Sequence, residues 1–162
     1  MIDSYLSAPE LAAFIATLPR RRLAASALIR DPEGRVLLVQ PNYKQGWEMP
    51  GGTVEAGEDP RTGCTREVLE EVGLDLPVGR LLVVEHGTSH GIWGDSTIFL
   101  YDGGVIPADT AVTVQTEELL GYRFVPAAEV GTLVMPGLAN RIAAGLDALA
   151  DGDTRELVNG RG

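Results

Sequence analysis

The sequence holds a single cysteine, Cys64, among 162 residues. No intramolecular disulfide can form, and no Cys/His cluster points to zinc. No apolar run reaches the roughly 18 residues that cross a bilayer. The first ten residues carry Asp3 and Glu10 and no basic stretch, so they do not read as a signal peptide. These absences lead us to expect a cytoplasmic protein with no membrane partner. Positive charge is also scarce: 13 Lys and Arg stand against 23 Asp and Glu, a net charge of −10. A nucleic-acid polymer is a poor match for that balance, because polymer binding rests on many cation–phosphate contacts. A small anionic substrate is not excluded, since a bound divalent cation inverts the local sign. Repeats and long linkers are absent too. With 44% apolar residues the chain suits one domain over 1–162 with its own core.

What is present can be placed on elements. Ser7-Ala8-Pro9-Glu10 reads as a capping box opening a short helix over about 8–18, stopped by Pro19. Residues 23–30 and 35–40 read as strands joined by the turn Asp31-Pro32-Glu33-Gly34. Residues 41–57 are rich in Gly and Pro and read as a loop with a short strand near Trp47. Asp59-Pro60 opens a helix that runs to Val72 and stops at Gly73. Strands are expected at 81–85, 96–101 and 121–125, and an Ala/Leu-rich helix at about 136–150. The polar tail 151–162 is expected to fray. The order of elements implies an α/β (α+β) fold, with helices packed on a mixed sheet.

The segment Arg66-Glu67-Val68-Leu69-Glu70-Glu71-Val72 concentrates the chemistry. At roughly 100° per residue, Glu67, Glu70 and Glu71 share one side of the helix. Val68, Leu69 and Val72 are expected on the apolar side. Like charges at i, i+3 and i+4 destabilise a helix, so the cluster is either a solvated face or a site for a hard cation such as Mg²⁺. Met49-Pro50-Gly51-Gly52 lies before it and lets backbone approach a ligand. Arg66 adjoins the cluster and can orient a carboxylate.

This run resembles the Nudix hydrolase family, whose box reads G-x5-E-x7-R-E-U-x-E-E-x-G-U, with U aliphatic. Gly52, Glu58, Arg66, Glu67, Val68, Glu70, Glu71, Gly73 and Leu74 fill its fixed positions. The resemblance implies a Nudix-type α/β/α sandwich around a mixed β-sheet. It implies Glu70 and Glu71 as principal ligands of Mg²⁺ or Mn²⁺, Glu67 as ligand or general base, and the Gly51 carbonyl as a further ligand. Glu58 would support loop and helix through Arg66. Some members take another carboxylate from a late loop, for which Glu118 is the candidate and Glu117 the near alternative. The activity implied is metal-dependent hydrolysis of a diphosphate linkage in a small nucleotide-like substrate. The alternative is a catalytically silent nucleotide-binding sensor. The isoprenoid diphosphate isomerase branch uses a cysteine outside the box, whereas Cys64 lies inside it.

Other residues carry weaker expectations. Trp47 and Trp93 are candidates for substrate contact, Trp93 within a Gly-rich segment. His86, His90 and Cys64 read as structural. Arg20 to Arg22 read as a solvated junction, and Glu85 is a minor candidate for pointing at the site. In this family ADP-ribose members often carry a proline downstream of the box, and dinucleoside polyphosphate members a tyrosine. Residues 88–92 hold neither, so the substrate is left open, with nucleoside triphosphates and nucleotide-sugars in view. Many members form homodimers, for which the N-terminal helix is the candidate surface here.

Overall fold

The computed structural model describes residues 6–88 and 91–162; the expectation for His90 lies outside the described residues. Strand β1 (Arg22–Arg30) and strand β2 (Val36–Pro41) flank a turn built by Asp31. Its Oδ1 accepts from Glu33 N at 3.0 Å and Arg35 N at 2.9 Å, while Gly34 takes φ +78° to close the reversal. The two strands are in register only at the turn end, Arg30 against Val36. Beyond it they splay, and β3 (Gly51–Thr53) takes the place beside β1, with Ser26 opposite Gly51. The strand expected near Trp47 is a single bridge, Val39 to Glu48.

The remaining strands are β4 (Leu81–Gly87), β5 (Ser96–Val105), β6 (Leu119–Val125) and β7 (Arg155–Val158). The mixed sheet runs β6-β2-β1-β5-β4-β7, with β3 on β1. Two expectations need correction. The tail does not fray: β7 pairs in parallel with β4, and Leu157 is buried beneath it. Strand β5 does not stop at Tyr101, because Gly103 continues it where a side chain would collide with Ile29.

Helix α1 (Ala8–Thr17) is capped by the Glu10 carboxylate, which accepts from Ser7 N at 2.9 Å. It buries no residue, and Phe14 and Ile15 stay exposed. Helices α2 (Pro60–Val72) and α3 (Pro136–Asp151) cover opposite faces of the sheet. Cys64, Val68 and Val72 of α2 join Ala25, Ala27 and Val39 in one core. Leu138, Ile142 and Ala148 of α3 join Leu28, Leu82 and Leu100 in the other. The α/β/α sandwich expected from the sequence is therefore present. No described helix is long and apolar enough to cross a membrane.

Candidate active site

Helix α2 begins where its sequence says it should. Asp59 accepts from Thr62 N at 3.0 Å, Pro60 follows, and Gly73 ends the helix in the left-handed conformation at φ +68°. The expected division of its faces is wrong in one respect. Leu69 is 49% exposed and Glu71 only 8%. On a helical wheel Glu71 falls roughly 20° from Cys64, at the margin of the buried stripe, whereas Leu69 lies beyond Val72 on the far side.

Burial gives Glu71 a partner. Gly51 N donates to its Oε2 at 2.9 Å, joining β3 to the end of α2. Gly51 has φ +151°, and a Cβ there would lie 2.3 Å from the Ala25 carbonyl oxygen, so only glycine fits. A Cβ on Gly52 would lie 2.5 Å from Glu67 Cδ. The Glu67 carboxylate thus rests directly on the backbone of β3.

Arg66 uses every guanidinium nitrogen. Its Nε and Nη2 reach Glu58 at 3.0 Å each, Nη2 also meets the Thr53 carbonyl at 3.0 Å, and Nη1 meets Glu67 at 3.0 Å and Glu70 at 3.3 Å. The expected link from Glu58 through Arg66 to the helix is present. The Arg66 guanidinium, with the Glu55 N–H, holds the Glu58 carboxyl below its ordinary range.

The local field is negative. Burial pushes the Glu71 carboxyl up to about 7; the Gly51 N–H opposes this, and the charges of Glu67, Glu118 and Glu48 add to it. Glu67 is also raised, by burial first, against the pull of Arg66. Glu118 acts on both carboxylates because its loop is tied to the end of α2: Thr113 N donates to Val72 O at 3.1 Å and Gln115 N to Glu71 O at 2.9 Å. Glu117 instead offers its carbonyl to Asn42 Nδ2 at 2.7 Å.

Of these groups, Glu71 borders a cavity of ≈ 260 Å³; Glu67, Glu70, Arg66 and Glu118 are not in its lining. Gly51, Gly52 and Glu71 form one side of it. Ala24, Ser26 and Ile98 form its floor and Tyr43 its outer edge, and Leu138 and Arg141 of α3 close the far wall. The splay between β1 and β2 opens this space, and the small side chains of Ala24 and Ser26 keep it open.

Neither tryptophan lines it. Trp47 packs on the α3-side core beneath the Arg123 guanidinium, 5.2 Å from the ring centroid. Trp93 is 68% exposed in a single 3-10 turn, with Arg22 5.1 Å over its ring. Arg21 pairs with Asp95 at 3.2 Å, so two of the three arginines of the basic patch turn toward the 93–97 segment. His86 lies 3.7 Å from Glu156, and burial pushes the Cys64 thiol up to about 12. Glu85 is 5% exposed and pairs with Arg141. Sequence reasoning missed Arg141. Its signal was position: it lies three residues after Leu138 and four before Gly145, both buried.

Glu67, Glu70 and Glu71 supply hard oxygen donors and an excess of negative charge that suit Mg²⁺ or Mn²⁺. Among the described residues no three or more His, Cys, Asp or Glu side chains come together closely enough to hold a metal ion as they stand. An ion that keeps several of its waters does not need a closed cage of side chains.

A NUDIX domain model matches residues 20–146. The chain belongs to this family. It is 29% identical over 155 residues to an RNA pyrophosphohydrolase of Roseobacter denitrificans, covering 83% of this chain and 94% of that protein. It is 34% identical over 88 residues to a MutT-like protein of Streptomyces ambofaciens, covering 54% of this chain and 55% of that protein. Among solved structures, a UDP-X diphosphatase superposes with a TM-score of 0.71 at 20% identity, covering 95% of this chain and 76% of that one. The MutT protein of Methanosarcina mazei Go1 gives 0.67 at 23% identity, covering 85% of this chain and 100% of that one. At these identities the superpositions speak for the fold alone.

Proposed function

We propose that this NUDIX chain hydrolyses the diphosphate linkage of a small nucleoside diphosphate-linked substrate with Mg²⁺ or Mn²⁺. The observation that carries the reading is the joining of β3 to α2. The Gly51–Glu71 hydrogen bond sets one carboxylate in the lining of a cavity of ≈ 260 Å³, and a second, Glu67, lies against Gly52, which lines the same cavity. A metal bound there would supply positive charge to the diphosphate oxygens and lower the pKa of a bound water. Glu70 and Glu71 would hold the metal, with Glu67 and the Gly51 carbonyl as further donors. Arg66 orients Glu67 and Glu70. Glu67 or Glu118 takes the proton from water at its carboxylate. The apolar floor at Ala24 and Ile98 receives the organic part of the substrate and excludes solvent from it.

The net charge of −10 and the cavity size favour a small substrate over a polymer. The test is metal-dependent product release from nucleoside triphosphates, nucleotide-sugars, ADP-ribose, dinucleoside polyphosphates and a 5′-triphosphorylated RNA oligonucleotide. Turnover of a small substrate that is lost in Glu70→Gln supports the proposal. Turnover confined to the oligonucleotide overturns its substrate class. Nucleotide binding without turnover of any compound favours the silent sensor.

A further inference from the structure

Two arginines in partly buried ion pairs stand on the helices that cover opposite faces of the sheet, and they are used differently. Arg66 on α2 spends all three guanidinium nitrogens on Glu58, Thr53, Glu67 and Glu70. Arg141 on α3 makes one hydrogen bond among the described residues, from Nε to Glu85 Oε2. Its two terminal nitrogens have no protein acceptor there. Neither is sealed from solvent, because the only buried side-chain nitrogen or oxygen without a partner among the described residues is Arg30 Nε. Arg141 lines the cavity that Gly51, Gly52 and Glu71 bound from the other side.

A buried ion pair is a costly way to tie a helix to a strand. Apolar residues of similar volume do it as well or better. Glu85 and Arg141 have side chains only 6% and 14% exposed, so both charges are largely withdrawn from water. The Nε contact turns the guanidinium side-on to Glu85 and leaves its planar fork of N–H donors uncommitted. Such a fork matches a pair of acceptors on one ligand, either two phosphate oxygens or the acceptor edge of a base.

We infer that Arg141, held by Glu85, is a specificity-determining residue: its terminal N–H groups donate to an acceptor pair on the part of the substrate away from the hydrolysed bond. This rests on the hydrolase reading for which bond is cut, but not for which residue binds. The α2 side of the cavity handles charge at the reaction centre. The α3 side selects the group attached to it. Ile98 and Leu138 beside Arg141 give that group an apolar bed in which the hydrogen bonds count for more than they would in water.

The experiment is calorimetric binding, with Mg²⁺ present, of the α,β-methylene analogues of ATP, GTP, CTP and UTP, and of inorganic tripolyphosphate. Arg141→Met alone leaves Glu85 buried without a partner and risks unfolding. Two other variants are therefore used. Arg141→Lys keeps the charge and removes the fork, and Glu85→Leu with Arg141→Met removes both charges. Thermal melting verifies the fold of each. The expected result is a loss of affinity of at least about tenfold for the best-bound nucleotide in both variants. With a hydrolysable substrate, KM rises by a similar factor and kcat holds. A loss confined to nucleotides supports the inference, and an equal loss for tripolyphosphate places the fork on the phosphate chain and overturns it. Unchanged affinity in folded variants overturns the inference, and so does a wild-type chain that binds none of the probes. Binding that depends on Arg141 without hydrolysis of any substrate would overturn the proposed activity and leave this inference standing.

Discussion

The two helices that cover the sheet divide their labour unevenly. Helix α2 buries only a narrow stripe, Cys64, Val68 and Val72, beside Gly63 and Glu71, and gathers Arg66, Glu67 and Glu70 on the rest of its surface. Helix α3 buries Leu138, Ile142, Gly145 and Ala148 and sends Arg141 into the cavity wall. One helix carries like charges at a cost to its own stability, which the proposed metal would offset. The other is a packing element whose alanines and leucines cover the core. The proposed function tolerates local frustration on the first, and the fold depends on the fit of the second. Substitutions on the two helices should therefore separate activity from stability.

The largest separation is expected from Glu70→Gln. Its side chain is 53% exposed and its interaction is with Arg66 at 3.3 Å, so the fold loses little. If it holds a metal beside Glu71, kcat falls by about three orders of magnitude, several kcal/mol of transition-state stabilisation. Thermal melting should stay within a degree or two, as about 0.5 kcal/mol implies. Removing a charge from the exposed side of α3, Asp147→Asn, should change neither quantity. Steady-state rates and melting curves of both variants decide the point. A Glu70→Gln enzyme of near wild-type rate would remove the distinction between the helices.

The next effect comes from a pair of glycines, each closely packed, one on each side of the sheet. In Gly52→Ala the new methyl meets the carboxylate end of Glu67, which can swing aside. The fold survives, but a displaced reactive group costs about a hundredfold in rate. In Gly145→Ala the methyl would lie 2.8 Å from Leu100 Cδ2 and 3.1 Å from Leu28 Cδ2, both in the core. Overpacking of that kind costs about 1–3 kcal/mol, partly offset by about 1 kcal/mol of helix propensity. The net loss of about 1 kcal/mol lowers the melting temperature by about 2–4 °C with kcat unchanged. Equal behaviour of the two variants in both assays would contradict the division.

The same contrast explains what the sequence made legible. Asp59, Pro60 and Gly73 punctuate α2, and the charge pattern names the helix because its residues act through local spacing. The turn at Asp31 to Gly34 and the start of α3 at Pro136 are local in the same sense. The features missed depend on distant neighbours. The buried Glu71 takes its hydrogen bond from Gly51 N, twenty residues upstream. Strand β7 exists because β4 offers it an edge, and its four residues carry a single buried side chain, Leu157. Arg141 is placed by Glu85, 56 residues away. Helical spacing put Leu69 on the apolar side, but the sheet beneath α2 reaches only as far as Val72.

The smallest expected effect is a pH dependence on the α2 side. Glu58 ties the loop after β3 to Arg66, with contacts of 3.0 Å from both Nε and Nη2. The guanidinium holds the carboxyl below its ordinary value. A group whose folded pKa is depressed adds stability above its unfolded value, about 4.3 for glutamate. That contribution disappears as pH falls through the lower, folded value. Glu58→Gln should therefore be less stable than the wild type by a constant margin at neutral pH. The two melting curves should converge in acid, below about pH 4. The corresponding pair on the other side, Arg141 with Glu85, joins β4 to α3 and spans no loop, so Glu85→Gln should lower stability without slackening the segment between β3 and α2. Hydrogen exchange over residues 53–59 would separate the cases. Exchange that quickens only in Glu58→Gln keeps the two sides distinct, and equal quickening in both variants would show that the rim and the far wall move as one unit.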